Sequence, residues 1–322
     1  MMKYLVGLIL LLGLFSCEEE NKLEEEIAQI PIDFQVDRFD VEFANASAEE
    51  LPRLKKEYPF LFPPRYADSL WIQQMNDTIQ LELERETQKA FPDFKKEKEN
   101  ITSLFQHFKY YFPQFKAPRV VTMISEVDYR NKVVATDSLL LISLDTYLGE
   151  DHQFYDGMQV YLRKNFRKGQ LVNDIAFEYA NQLIESPKGR SFLDQMIYYG
   201  KILYLKDKVL PKMSDADKMG YTDKELKWAQ ANEDQIWRYF IDRELIYETD
   251  SELRARFINL APFSKFRLEL DNESPPQIGQ YIGWQIVRQF AQKNESITLK
   301  QLLTLDAERI FKEANFKPRK PE

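Results

Sequence analysis

The sequence predicts a helix-rich α+β fold carrying a small mixed β-sheet, and three observations point to it. Glycine is scarce, 10 of 322 residues, while aromatic residues reach 14% and charged residues 30%. With 44% hydrophobic residues over that length, the chain has the makings of a sizeable core. Long stretches repeat their apolar residues at helical spacing, and one stretch, from Pro118 to Tyr147, concentrates β-branched and aliphatic runs.

Taken in order, the chain begins with residues 1–16, MMKYLVGLILLLGLFS. Lys3 supplies a basic start, and an apolar run follows from Tyr4 to Phe15. That run is shorter than the ~18–20 apolar residues of a spanning helix and reads as the core of a signal peptide. It closes on Leu14-Phe15-Ser16-Cys17, which resembles a bacterial lipobox, with Phe15 bulkier than the usual occupant. Cys17 is the only cysteine, so no disulfide can form within the chain, and it is the expected lipidation site. Residues 17–30 open with Glu18-Glu19-Glu20 and read as a lipidated acidic tether. Their composition is similar to the acidic segment after the cysteine of surface-exported lipoproteins of Bacteroidetes. Residues 31–316 read as a single globular domain and 317–322 as a polar tail. Removing residues 1–16, whose one charge is Lys3, takes the net charge from −8 to −9. Such an acidic balance argues against nucleic acid as a partner. No phosphate-binding loop, dinucleotide fingerprint or repeat is present, and no cofactor is expected.

Within the domain, Ile32 to Phe43 alternates apolar and polar residues and reads as extended. A short helix within Ala48–Phe62 runs into a proline-rich turn, and helices are expected over Ala67–Met75, Asp77–Phe91 and Phe94–Phe112. The aromatics from Tyr110 to Phe115 read as a core ridge. Pro118–Ser125, Lys132–Thr136 and Ser138–Tyr147 are the strands, the last two joined by a turn at Asp137-Ser138.

The organising element comes next. Leu171 to Glu185 places Val172, Ile175, Ala176, Tyr179, Ala180 and Leu183 at helical spacing, and Ser186-Pro187 stops the helix. Helices follow over Phe192–Leu210, twice within Tyr221–Ile246, over Gln277–Gln292 with Ser274 as cap, and over Leu299–Asn315. Gly279 and Gly283 lie four apart in the fourth of these. Each costs roughly 1 kcal/mol against Ala in a helix, so another backbone should approach closely there.

At the centre of the 171–185 helix stands Phe177-Glu178-Tyr179-Ala180-Asn181, the outline of an HExxH zinc helix without its histidines. Zinc hydrolysis needs two imidazoles at i and i+4, a glutamate as general base beside the first, and a third ligand from elsewhere. Phe177 and Asn181 occupy the histidine positions, and only Glu178 keeps its type. The two histidines of the chain, His107 and His152, are 45 residues apart and cannot form the helical pair. The strands-then-helix order is that of a zincin, so the domain reads as zincin-like with no catalytic residue and no metal. No GxSxG elbow is present. Acidic pairs such as Glu233-Asp234 read as solvated helix surface.

The chain also resembles the gliding-motility lipoproteins of the GldB type from Bacteroidetes. The resemblance spans nearly all of the sequence after the signal. It rests on LFSC, PIDFQVDRFD, YPFLFP, IAFEYANQLIE, LDQMIYYGKILYLKDK, ESPPQIGQYIGWQIVRQF and LLTLDAERIFKEANFKP. The family looks related to zinc peptidases that carry HExxH on one helix and a Glu-Gly pair on the next. In this chain Tyr199 precedes Gly200 where that glutamate would stand. The resemblance implies a lipid-anchored component of the gliding apparatus and of the linked type IX secretion system and implies no biochemical activity; with the ligand positions filled by other residue types, the chain reads as non-enzymatic. Its partners would be the membrane, through the lipid, and other envelope proteins of that apparatus. Its place would be the cell envelope, lipid-anchored in the outer membrane ahead of the inner membrane, facing periplasm or surface. Two other classes are carried beside this one. A metallopeptidase with ligands from elsewhere would be distinguished by metal analysis, and a nutrient-binding envelope lipoprotein by ligand-dependent thermal shifts.

Overall fold

The computed structural model describes residues 21–269 and 271–320. Residues 21–28 are helical (α1). Strand β1 is Val36–Arg38, and five helices follow: α2 Phe39–Ala44, α3 Leu51–Glu57, α4 Asp68–Met75, α5 Thr78–Ala90 and α6 Lys95–Tyr111. Strands β2 Arg119–Met123, β3 Val133–Ala135 and β4 Leu139–Ser143 complete the sheet. Beyond it come α7 Val160–Arg163, α8 Leu171–Leu183, α9 Phe192–Val209, α10 Asp215–Met219, α11 Asp223–Ala231, α12 Glu233–Asp242 and α13 Ser251–Phe257. The last three helices are α14 Ile278–Lys293, α15 Leu299–Thr304 and α16 Ala307–Ala314. The fold class is α+β, helix-rich with a small mixed sheet.

The sheet order is β1-β2-β4-β3. β1 and β4 run parallel to β2, with Val36 opposite Val120 and Val120 opposite Leu140. β3 is antiparallel to β4, with Val134 opposite Leu141. Because successive side chains leave a strand on opposite sides, the sheet has two apolar faces. Val120, Leu140 and Ile142 join the large helical core, whereas Val121, Leu139, Leu141 and Met123 pack with Phe39, Phe43, Leu51, Leu54, Tyr58 and Phe62. The sheet is thus a partition between the main helical body and a small layer built from α2 to α4.

α9 and α14 form the centre of the body. Ser191 and Asp194 close a reciprocal capping box at the start of α9. α14 is buried on every side from Ile278 to Val287. The two helices touch through glycines. A Cβ on Gly283 would overlap the carbonyl of Met196, and one on Gly200 would overlap that of Gly283. Gly279 has Ile258 Cδ1 at 2.9 Å and the Phe257 carbonyl at 3.0 Å from where its Cβ would stand. The close backbone approach expected from Gly279 and Gly283 is present at both.

Four expectations are corrected. Ile32–Phe43 is extended only in part: residues 39–44 form α2, because Phe39 and Phe43 also satisfy an i, i+4 pattern and share one apolar cluster. The segment read as a tether is docked from residue 21 onward. Ile27 is 1% exposed. The His107 ring sits between Glu24 Oε1 at 3.0 Å and the Ser103 carbonyl at 2.7 Å, and Gln106 Nε2 donates to the carbonyls of Ala28 and Ile30. Ser274 does not cap α14: its hydroxyl donates to the carbonyls of Ser264 and Asp271, and Ser264 Oγ instead accepts from the N–H of Ile278 at 3.1 Å. Leu299–Asn315 is two helices, because Asp306 leaves the helical conformation and caps α16 through the N–H of Arg309. The expected lipidation site, Cys17, lies outside the described residues.

Candidate functional site

α8 presents Phe177, Glu178 and Asn181 toward α9, but the four positions singled out in the sequence do not converge on one another. Phe177 is half-buried, and the Lys206 ammonium of α9 lies 5.2 Å from its ring centroid. Asn181 Oδ1 accepts from the Tyr198 hydroxyl at 3.2 Å. Tyr199 meets Tyr198 edge-on, ring centroids 5.1 Å apart. Glu178 is half-buried and has no hydrogen-bond partner among the described residues. Burial first, and Asp174 second, raise its pKa above the usual carboxylate range, against the pull of Lys206. Among the described residues, no three His, Cys, Asp or Glu side chains are grouped so as to hold a metal ion.

What surrounds Glu178 is a charged network that sequence reading missed. Asp174, one turn earlier on the same face of α8, pairs with Lys132 and accepts from the Tyr147 hydroxyl at 2.8 Å. Lys206 is 5% exposed and donates to the Lys218 carbonyl at 3.3 Å. Its burial lowers its pKa to about 8, with Asp174 and Glu178 opposing and Lys132 and Lys218 assisting. The signal for Asp174 was its i, i+4 relation to Glu178. For Lys206 it was a lysine inside the apolar run of α9.

A second cluster follows directly on α9. Arg288 of α14 grips Asp207 through Nε and Nη2, both at 2.7 Å, and Asp215 through Nη1 at 2.7 Å and Nη2 at 2.8 Å. Its guanidinium lies 3.6 Å from the Trp284 ring centroid, and Trp284 Nε1 donates to Asp207 Oδ2 at 2.8 Å. Lys218 Nζ donates to the other Asp207 oxygen at 3.0 Å. Burial alone would push the Asp215 carboxyl up, yet the Arg288 bonds hold it below the usual range. These groups are committed to one another and fix how α9, α10 and α14 meet.

A partnerless half-buried acid beside interlocked ion pairs is what the centre of this helix-rich α+β protein holds. The chain belongs to the family of the gliding motility protein GldB, whose family model matches residues 20–318. It is therefore a gliding-motility protein of a lipoprotein family. Neither the curated proteins nor the solved structures give a match. No helix among the described residues is long and apolar enough to cross a membrane.

Proposed function

We propose that the protein is a lipid-anchored, non-catalytic interaction component of the gliding apparatus and its linked type IX secretion system. Acylated Cys17 holds it to the outer membrane, and its scaffold is that of a zinc peptidase whose ligand positions have been reassigned. One observation carries the non-catalytic part. Phe177, at the first histidine position, supports Lys206, and Asn181, at the second, is engaged by Tyr198. Glu178 faces an ammonium where a general base would face a metal-bound water. The lipobox LFSC and the uniqueness of Cys17 support the anchor.

The test replaces Cys17 with Ser in the full-length protein. The unlipidated protein is expected to leave the membrane fraction in detergent partitioning and to fail to restore gliding to a deletion strain. Continued membrane partitioning after signal cleavage would refute the anchor. Stoichiometric zinc in the detergent-purified wild type, together with a stable but immotile Glu178→Gln strain, would refute the non-catalytic reading.

A further inference from the structure

A cleft of about 930 Å³ opens beside Arg288. α9, α14, α15 and the C-terminal tail wall it, with Tyr111 at one edge. Its titratable walls balance: Asp207, Glu233 and Glu295 face Lys208, Arg288 and Arg319. A balanced cleft does not select a free anion or cation.

Gln285 of α14 lines it. This side chain is 7% exposed, and its carboxamide has no hydrogen-bond partner among the described residues. The carboxamide is not among the fully buried unpartnered atoms, so it is the part of this side chain open to the cleft, where a ligand that offers hydrogen-bonding groups can take the place of water. The next residue along that face, Gln289, shows what such an amide does here. Its Oε1 accepts from the Lys317 N–H at 3.0 Å, and its Nε2 donates to the Lys317 carbonyl at 2.7 Å. Two residues on, the Arg319 N–H donates to Glu233 Oε1 at 2.9 Å. Glu233, expected on the solvated helix surface, is instead 2% exposed, and its other oxygen takes the Tyr281 hydroxyl at 2.8 Å. The tail is therefore held through its main chain at alternate residues, the period of an extended chain. Pro318 between them has no N–H to give. Gln285 and Gln289 are separated by ~6 Å of helix rise, close to the ~6.6 Å that two residues of extended chain span.

We propose that this cleft binds an extended, uncharged polypeptide segment of a partner protein, read through its main-chain amides by Gln285 as Gln289 reads the chain's own tail. Tyr204 and Leu302 supply an apolar wall for the segment's side chains. This rests on the reading of the protein as an interaction component and names what it takes hold of.

The test uses the full-length protein in detergent on an array of short, uncharged synthetic peptides, with an oligosaccharide array in parallel. Wild type is expected to retain a subset of the peptides, and Gln285→Leu to weaken them about tenfold with the melting midpoint unchanged, since no internal bond is lost. On wild type, which does not depend on the variant's folding, N-methylation at alternate residues of a bound peptide should abolish binding while N-methylation of the intervening ones is tolerated. Three results would each overturn the proposal: no peptide retained, binding indifferent to both Gln285→Leu and N-methylation, or retention of oligosaccharides instead. None of these bears on the Cys17 experiment, so the anchor and the cleft fail separately.

Discussion

The α9–α14 pair solves two opposite packing problems within a few turns. Around Gly200 and Gly283 the helices meet backbone to backbone, with no space for a methyl group. Around Asp207 and Arg288 the same pair is joined by charged side chains that bond to each other. The first contact is steric and unforgiving. The second is polar, and its stability depends on every member keeping its partner. The glycine crossing sets how close the helices come, and the ion pairs set their register. Each region therefore fails differently, and that difference can be measured.

The largest effect is expected at the crossing. Gly283→Leu must move backbone, not a flexible side-chain end, because the obstructing atoms are the main chain of Met196. A loss of about 3 kcal/mol, the upper part of the usual overpacking range, should appear in denaturant unfolding. A midpoint equal to wild type would mean that the helices separate freely, and the contrast between the two regions would collapse.

Next comes the ion-pair end. Asp207→Ala leaves Arg288, Lys218 and the Trp284 N–H short of an acceptor. Full burial would make this about 3–5 kcal/mol; the side chains of Asp207 and Arg288 are 14% and 21% exposed, so about 2 kcal/mol is expected. The double variant Asp207→Ala/Arg288→Met should recover part of that loss, since Arg288 is then no longer short of an acceptor and Lys218 keeps Asp215, 3.9 Å away, as its counter-charge. Strict additivity in the double-mutant cycle would show that the cluster is a set of independent surface pairs.

A smaller effect separates the regions by pH. Lys206 has its pKa lowered to about 8 from an ordinary 10.5. Between those values the unfolded chain binds more protons than the folded one, so this residue's contribution to stability rises with pH across that window. Lys201, lowered to about 8 by its own burial, adds a slope of the same sign. Lys206→Met should reduce the slope without abolishing it. An unchanged slope would place the Lys206 ammonium in contact with solvent.

Much of this division was legible in the sequence. Gly279 and Gly283 are costly residues inside a helix, and they announced a close contact before any neighbour was known. The amphipathic periods of α5, α6, α8 and α9 placed those helices within a residue or two. The polar end was opaque because its bonds join residues distant in the chain. Arg288 meets Asp207 across 81 positions, and Gln289 meets Lys317 across 28. Nothing in a local pattern pairs them. The same holds for α14, whose cap comes from Ser264, 14 residues upstream, and not from the Ser274 beside it. α2 was misread because Phe39, Val41 and Phe43 fit a strand period while Phe39 and Phe43 also fit a helical one, and the cluster with Leu51 and Tyr58 decides between them.

The smallest effect is expected at Glu178, and it bears most directly on function. This carboxylate stands at the margin of the polar region with no hydrogen-bond partner among the described residues. Its pKa is raised, chiefly by burial and then by Asp174. Above its unfolded value, therefore, the folded state binds the proton more tightly than the unfolded chain, and stability falls as pH rises through the raised pKa. Glu178→Gln removes that penalty while keeping size. At neutral pH its stability should lie within about 0.5 kcal/mol of wild type, on the favourable side, and the mild-acid part of the stability profile should flatten. On the non-catalytic reading proposed above, gliding should be restored in full by this variant, since no proton transfer would then depend on the carboxylate. A general base would behave in the opposite way: Glu178→Gln would be stable and immotile, because the amide cannot accept the proton. Glu178→Leu sharpens the distinction. With no donor to leave stranded, it too should fold and support gliding, whereas Asp207→Ala, a few residues away in the network, should not reach wild-type stability. Motility and thermal unfolding of the three variants, measured side by side, separate a carboxylate that neither function nor fold requires from one on which the architecture depends.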